Sequence, residues 1–394
     1  MKLITVNILL FLALSFGNTF SWAQVNQSET YKQEVIEVLR DKVLSKAAWA
    51  LEQEPITITT SKAERSAGGI HDFYSEGDYW WPDPKDPDGP YIQRDGETNP
   101  ENFTAHRKAM IRFSQIIGAL ASAYEVTGEA KYVEHAFKHL QAWFMNNETK
   151  MNPSLNYAQA IKGRVTGRGI GIIDTIHLME VAQGLLVMRN FSEADPLIVS
   201  GVKKWFRDYL EWLTTHPYGI EEMNWKNNHS TSWVMQVASF SRLTENEDLL
   251  EFCRDRYRDV LLPKQMAMDG SFPLELERTK PYGYSLFNLD AMTAVVHILS
   301  DDDHNLWEYE TESGKSIRKG IKFLYPYVAD KGKWPYRQDV MYWNNWPVAQ
   351  PFLLFGAEKY ENFQWFNTWK ELEHYPSTRE VIRNLPIRNP IIWL

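Results

Sequence analysis

Residues 224–233 read NWKNNHSTSW, and residues 269–291 read DGSFPLELERTKPYGYSLFNLDA. Between them the two segments hold two amides (Asn227, Asn228), an imidazole (His229), a guanidinium (Arg278) and two phenols (Tyr282, Tyr284). That set suits removal of a proton beside a carboxylate. Such a proton is poorly acidic, because the enolate adds charge to a group that is already charged. Asn228 can hydrogen-bond the carboxyl group, and Arg278 can meet it with a planar fork, which is electrostatic stabilisation of the oxyanion type. An imidazole with an ordinary pKa of about 6.5 can take the proton near neutrality, so His229 is a candidate base. Tyr284 can protonate a departing oxygen, or act as base if ionised. A free tyrosine has a pKa of about 10, a handicap of roughly 4 kcal/mol for a base at neutral pH. A neighbouring Arg278 is expected to lower that pKa by about one to three pH units.

The same residues also have plain structural readings. Asparagine competes for nearby backbone hydrogen bonds, so an Asn-Asn pair before a helix also fits a cap. Arg278 also reads as an ion-pair partner and Tyr284 as core. Tyr282 and Tyr284 lie four and six residues after Arg278, and either could face a substrate.

Helices must position these groups. Apolar residues recur at three- and four-residue spacing in SQIIGALASAYEVTG, YVEHAFKHLQAWFM, GIIDTIHLMEVAQGLLVM, LIVSGVKKWFRDYLEWL and TSWVMQVASFSRLT, which predicts amphipathic helices. The pattern continues through NLDAMTAVVHILS, IRKGIKFLYPYVAD and VAQPFLLFGAEKY, and strand-like alternation is scarce. Successive helical hairpins without a strict repeat, and without a break in composition, predict one all-α domain over residues 24–394, an α/α toroid. Residues 66–96, SAGGIHDFYSEGDYWWPDPKDPDGPYIQRDG, interrupt the rhythm. A long loop in a compact domain is usually functional or disordered, and Tyr74, Tyr79, Trp80, Trp81 and Tyr91 argue for order. The loop is expected to be an aromatic lid over a cleft, or to pack its rings on the toroid wall. Pro84 stands where an EF-hand's first ligand would be, so DPKDPDG is not read as a calcium loop.

Composition narrows the partners. A net charge of −9 argues against nucleic acid, while 16 Trp and 19 Tyr favour stacking on sugars or large helical cores. Residues 1–23 have a Lys2 start, an apolar run and a small-residue site at Ser21–Ala23, the pattern of a secretory signal peptide. The run is short for a membrane span, and the mature chain is expected to have none. Export to a bacterial periplasm or beyond is the expectation. With only Cys253, neither a disulfide framework nor a cysteine-based metal site can form. The histidines lack HExxH spacing, and no metal ligand or cofactor is expected. In GRVTGRGIG the glycines follow no strand and so read as a tight loop, leaving Arg164 and Arg168 to meet anions. His177 in DTIHLMEV reads as core.

Both reactive segments resemble those of the alginate lyase family of polysaccharide lyases, where an N-N-H-x-x-x-W-like stretch precedes D-G-x-x-P-x-E-x-x-R and a tyrosine. SEGDYWWPDP (75–84) and NPSLNYAQAIKGRVTGRGIGIIDT (152–175) are similar to further segments of this family and of related uronan lyases, so the likeness runs from about residue 66 to about residue 350. The resemblance implies an α/α toroid that cleaves a 4-linked uronic-acid polymer, alginate or glucuronan, by metal-independent β-elimination. It implies Asn228, His229, Arg278 and Tyr284 as the reacting set. Tyr79, Trp80, Trp81, Asn156, Tyr157, Gln159, Arg164, Asn227 and Tyr282 are implied as substrate contacts. Tyr284 leads over Tyr282 because YSLFNLDA opens the next helix and fits the family pattern. Two alternatives stand beside this reading: a hydrolase on the same toroid, for which Asp72, Asp174 and Asp290 are the candidate acids, and an exported carbohydrate-binding protein.

Overall fold

A computed structural model describes residues 13–192 and 194–394, with side chains from Ser28 onward. The expected leader at residues 1–23 lies outside the described residues as far as residue 12, and its remainder begins helix α1 (Ala13–Leu51). The chain then runs through α2 (Ala105–Thr127), α3 (Ala130–Phe144), α4 (Leu178–Met188), α5 (Pro196–Thr215), α6 (Pro217–Met223) and α7 (Asn228–Thr244). It continues through α8 (Glu247–Arg256), α9 (Leu262–Gln265), α10 (Pro273–Leu276), α11 (Pro281–Leu299) and α12 (Ile317–Ala329). Helices α13 (Pro351–Lys359), α14 (Phe363–Glu371) and α15 (Arg379–Arg383) complete the set.

Helix ends follow local chemistry. Asp195 accepts from the Leu197 amide with Pro196 in the first turn of α5, and Asn246 and Asn362 cap α8 and α14 in the same way. Each such cap satisfies amides that a helix start leaves without partners.

Helices α2, α4, α7, α11 and α13 pack successively on one another, with α3, α5, α8, α12 and α14 outside them. Helix α1 packs on α2, and its Tyr31 donates to the Leu354 carbonyl of α13 at 2.8 Å, joining the two ends of the layer. This is the expected α/α toroid. Inner helices are enclosed: every residue of α11 except His297 is buried. Outer helices such as α5 bury a single stripe. Gly184 lets α4 approach α2, because a Cβ there would lie 2.8 Å from Ile117 Cγ2. Among the described residues no single helix is long and apolar enough to cross a membrane.

The aromatic loop contains three short strands, β1 (Tyr74–Glu76), β2 (Trp80–Trp81) and β3 (Ile92–Gln93). Strand β1 pairs in parallel with β4 (Tyr157–Ala160), and β2 pairs antiparallel with β3. Buried charges pin its base. Arg107 of α2 reaches Asp78 at 2.7 Å and Asp174 at 3.0 Å, and Arg383 of α15 lies 2.8 Å from Asp78. Removing one partner of such a buried set typically costs about 3–5 kcal/mol, so the loop is a strap fixed at its root.

Candidate active site

His229 sits in the first turn of α7, placed there by its neighbour. Asn227 Oδ1 accepts from the His229 amide at 3.3 Å, and the Asn227 carbonyl accepts from Gln265 Nε2 at 3.1 Å. Asn227, expected to contact substrate, is therefore a helix cap whose side-chain oxygen is engaged by the backbone. The His229 ring places Nδ1 2.7 Å from Oε1 of Glu222, a fully buried carboxylate at the end of α6. Burial raises the Glu222 pKa, and His229 opposes the rise. An Nδ1–H donated to Glu222 leaves the Nε2 lone pair to accept a proton, the state a general base requires. Glu222 was not singled out in the sequence. Its seven-residue distance from His229 spans a helix end and a bend, which no single helical period describes.

Asn228 is held by a second buried carboxylate. Its amide nitrogen and Nδ2 donate to the two oxygens of Glu275 at 2.9 and 2.8 Å. Burial raises the Glu275 pKa, whereas the Asn228 bonds, Arg278 and His229 lower it. Glu275 thus aims the Asn228 amide and joins the His229 and Arg278 sides of the site.

Arg278 is not free. Its Nη2 and Nε reach Asp95 at 2.7 and 3.3 Å, and Thr279 Oγ1 donates to the same carboxylate at 2.9 Å. The guanidinium lies 4.5 Å over the Tyr284 ring, with Nη2 3.5 Å from its hydroxyl. Tyr284 opens α11, and its hydroxyl stands 2.7 Å from that of Tyr79 on the strap. Burial pushes the Tyr284 pKa well above its ordinary value, Tyr79 adds to the rise, and Arg278 opposes it without prevailing. Arg278 lowers the pKa as expected, but desolvation outweighs the cation, whose charge Asp95 already offsets. Burial thus favours the protonated phenol, which has a proton to donate. Tyr282 is fully buried, donates to the Tyr327 carbonyl at 2.9 Å and packs on Trp334 and Trp343. It belongs to the core, contrary to the expectation of a substrate contact.

The β4 loop supplies a second guanidinium. Arg168 donates from Nε and Nη2 to the carbonyl and Oε1 of Gln159, both at 3.0 Å. Gln159 Nε2 in turn donates to Asp174 at 3.3 Å. Gln159, expected at the substrate, is buried with both ends of its amide engaged and serves to orient Arg168. Among the described residues no carboxylate lies within ion-pair distance of Arg168, although Asp174, Asp78, Glu221 and Glu222 act on it electrostatically. The Trp80 ring lies 5.2 Å from the Arg164 guanidinium and 5.8 Å from that of Arg168. Gly77 makes room for this stack, since a Cβ there would lie 2.6 Å from Trp80 Cδ1 and 2.7 Å from Arg168 Nη2. Arg164 is exposed and donates to the Tyr91 carbonyl at 2.6 Å. Trp81 is tied to the strap, donating to the Glu97 carbonyl at 2.9 Å under Arg94. Asn156 accepts from Trp212 Nε1 at 3.2 Å, and Tyr157 packs against Gly68. The site thus gathers His229, Asn228, Arg278, Tyr284, Tyr79, Trp80 and Arg168. Asn227, Tyr282 and Gln159 support it from behind.

The hydrolase acids are not a pair. Asp72 accepts from Gly69 and Asn152, Asp174 is locked to Arg107 and Ser75, and Asp290 accepts from the Phe352 amide. Among the described residues no group of three or more His, Cys, Asp or Glu side chains could hold a metal ion.

The family described as Alginate lyase matches residues 57–334. An alginate lyase from Bacteroides ovatus is similar in structure, with a TM-score of 0.79 and 30% identity over 94% of this chain and 97% of that one. Alginate lyase A1-III complexed with a tetrasaccharide matches at a TM-score of 0.58 and 14% identity, over 89% of this chain and 94% of that one, a likeness of fold. No curated protein matches.

Proposed function

Since the chain belongs to the alginate lyase family and is a polysaccharide lyase, we propose that it cleaves a 4-linked uronic-acid polymer, alginate or glucuronan, by β-elimination without a metal ion. The observation that carries this reading is the pairing of opposite proton roles at one site. His229 has a free Nε2 backed by buried Glu222, and Tyr284 is held protonated by burial. Asn228 and Arg168, with Arg278 beside them, grip the carboxylate of the sugar whose C5–H is lost. His229 Nε2 takes the C5 proton, the C–H electron pair forms the C4=C5 bond, and the C4–O4 bond breaks. Tyr284 gives its proton to O4. Two chains result, one with an unsaturated uronate end, and solvent exchange restores His229 and Tyr284.

Arg168, which has no carboxylate partner among the described residues, can offset the substrate carboxylate's charge while Asn228 hydrogen-bonds it, which supports independence from a metal. The carboxylates beside these groups, Glu222, Glu275 and Asp95, are each engaged by His229, Asn228 or Arg278, so the hydrolase reading gains no support. The leader-like residues 1–23 support export to the periplasm or beyond. Ultraviolet-monitored digestion of polymannuronate, polyguluronate and glucuronan, with product sizing and a chelator arm, tests the proposal. New absorbance from at least one polymer, unaffected by chelator, is expected. Silence on all three from folded protein defeats the substrate class, and calcium-restored activity defeats metal independence.

A further inference from the structure

Lys280 is 3% exposed, two residues after Arg278. A buried ammonium is costly unless it is paired, and among the described residues a single carboxylate, Glu380 of α15, pairs with it. Three tyrosine rings surround the same nitrogen, with centroids at 5.0 Å (Tyr79), 5.2 Å (Tyr284) and 5.4 Å (Tyr342). Tyr342 takes a left-handed φ of +65° to present its ring. Glu380 is itself held by Arg383 at 3.3 Å, within the charge set that roots the strap. Glu380 and Arg383 lie beyond residue 334, where the family match ends. An ammonium held only for stability could be replaced by an apolar side chain with its counter-ion removed. This one faces the two phenols of the site, with its nitrogen against the rings of both Tyr79 and Tyr284.

We propose that Lys280, clamped by Glu380, is a positioning residue that sets the direction of a donor chain running from Lys280 to Tyr79 to Tyr284 to the leaving oxygen. The argument is one of donor inventory. An ammonium donates and cannot accept, whereas a tyrosine hydroxyl has one proton to give and lone pairs to receive. With Lys280 donating to Tyr79, the Tyr79 proton is turned toward Tyr284 across the 2.7 Å contact. Tyr284 accepts it and directs its own proton into the cleft. When Tyr284 has given that proton to O4, the Tyr79 hydroxyl still donates to the phenolate, and Lys280 offsets the charge through it. The inference rests on Tyr284 as the donor to the leaving oxygen.

The test is a double-mutant cycle on purified enzyme with whichever of the three polymers it cleaves. Lys280→Met and Tyr79→Phe are each expected to lower kcat about 10- to 100-fold, the range of a misdirected proton donor, with little change in KM. Their combination should be no worse than Tyr79→Phe alone, because Lys280 acts only through Tyr79. Lys280→Arg, which keeps a donor, should recover most of the loss. If Lys280→Met leaves Glu380 unpaired and the protein fails to fold, Lys280→Met with Glu380→Gln takes its place in the cycle. Wild-type kcat in the Met variant, or losses that multiply in full in the combination, overturns the proposal. Tyr284→Phe is measured in parallel: if it turns over normally, the reading of Tyr284 fails, a result separate from any outcome of the cycle.

Discussion

Asp95 of the strap holds the guanidinium of Arg278 through two hydrogen bonds, at 2.7 and 3.3 Å, while that guanidinium covers the ring of Tyr284 at 4.5 Å. The strap therefore sets the orientation of an arginine of the candidate site as well as covering it. Both partners are nearly one-third exposed, so the pair adds about 0–1 kcal/mol to stability. Asp95→Asn should lower kcat/KM about tenfold, as small misplacements of positioning groups do, with Tm nearly unchanged. Calorimetry beside initial rates checks this. A clear drop in Tm with normal rates would make Asp95 a scaffold residue.

Glu222 fixes which ring nitrogen of His229 carries the proton. Glu222→Gln keeps a hydrogen-bond acceptor but allows the amide to present its NH2 instead, which selects the wrong tautomer. A fall in kcat of about 10- to 100-fold is expected, comparable to loss of a residue that orients a histidine. Unchanged kcat would show that Nε2 needs no such partner.

The epimers of the substrate separate the two proton carriers. The C5 hydrogen of mannuronate and glucuronate projects on the opposite side from that of guluronate, and a base must reach the face it serves. His229→Ala should cost at least about 100-fold on the epimer class whose C5 hydrogen faces His229, and the other class should be a poor substrate even of the wild-type enzyme, because a Tyr284 that keeps its proton cannot take another. Tyr284→Phe should abolish both. Equal losses on all polymers for His229→Ala would assign it a single role throughout.

Burial holds the Tyr284 pKa well above its ordinary value. An acid must keep its proton to act, so a raised pKa extends activity to higher pH. Activity should show no alkaline fall below about pH 10, the ordinary tyrosine value. A pH profile in stabilised buffers checks this. An alkaline limb centred below pH 9 that belongs to Tyr284 would contradict its burial. A rate that climbs tenfold per pH unit up to 10 would instead make the tyrosinate a base.

Trp80 lies against Arg168, whose guanidinium is pinned by Gln159 and has no carboxylate partner among the described residues. Arg168→Lys loses the planar fork and should raise KM about tenfold, or about 1.4 kcal/mol of binding. Trp80→Ala should act in the same direction. Oligouronate titration of inactive Tyr284→Phe protein measures both, and unaltered affinity in either variant removes that residue from the binding surface.

The sequence by itself determined the helical architecture and singled out the two segments that meet at the candidate site. Periodic apolar residues make helices wherever they fold, and the Asn-Asn-His and Arg-to-Tyr spacings are local, each confined to one helix start. Local spacing also identified the strap, because aromatic residues beside Pro and Gly leave few alternatives to an ordered loop. Tertiary structure decided what each polar group is free to do. Asn227 was spent on a cap, Gln159 on Arg168, and Tyr282 on the core, although their types matched a binding role. Arg278 was matched by Asp95, 183 residues earlier, and Lys280 by Glu380, 100 residues later. The direction of the Tyr284 shift depended on burial between α11 and the strap. Hydrogen-bond capacity is a property of a residue type, but its use is set by whichever distant group the fold brings within 3 Å, and no local spacing records that.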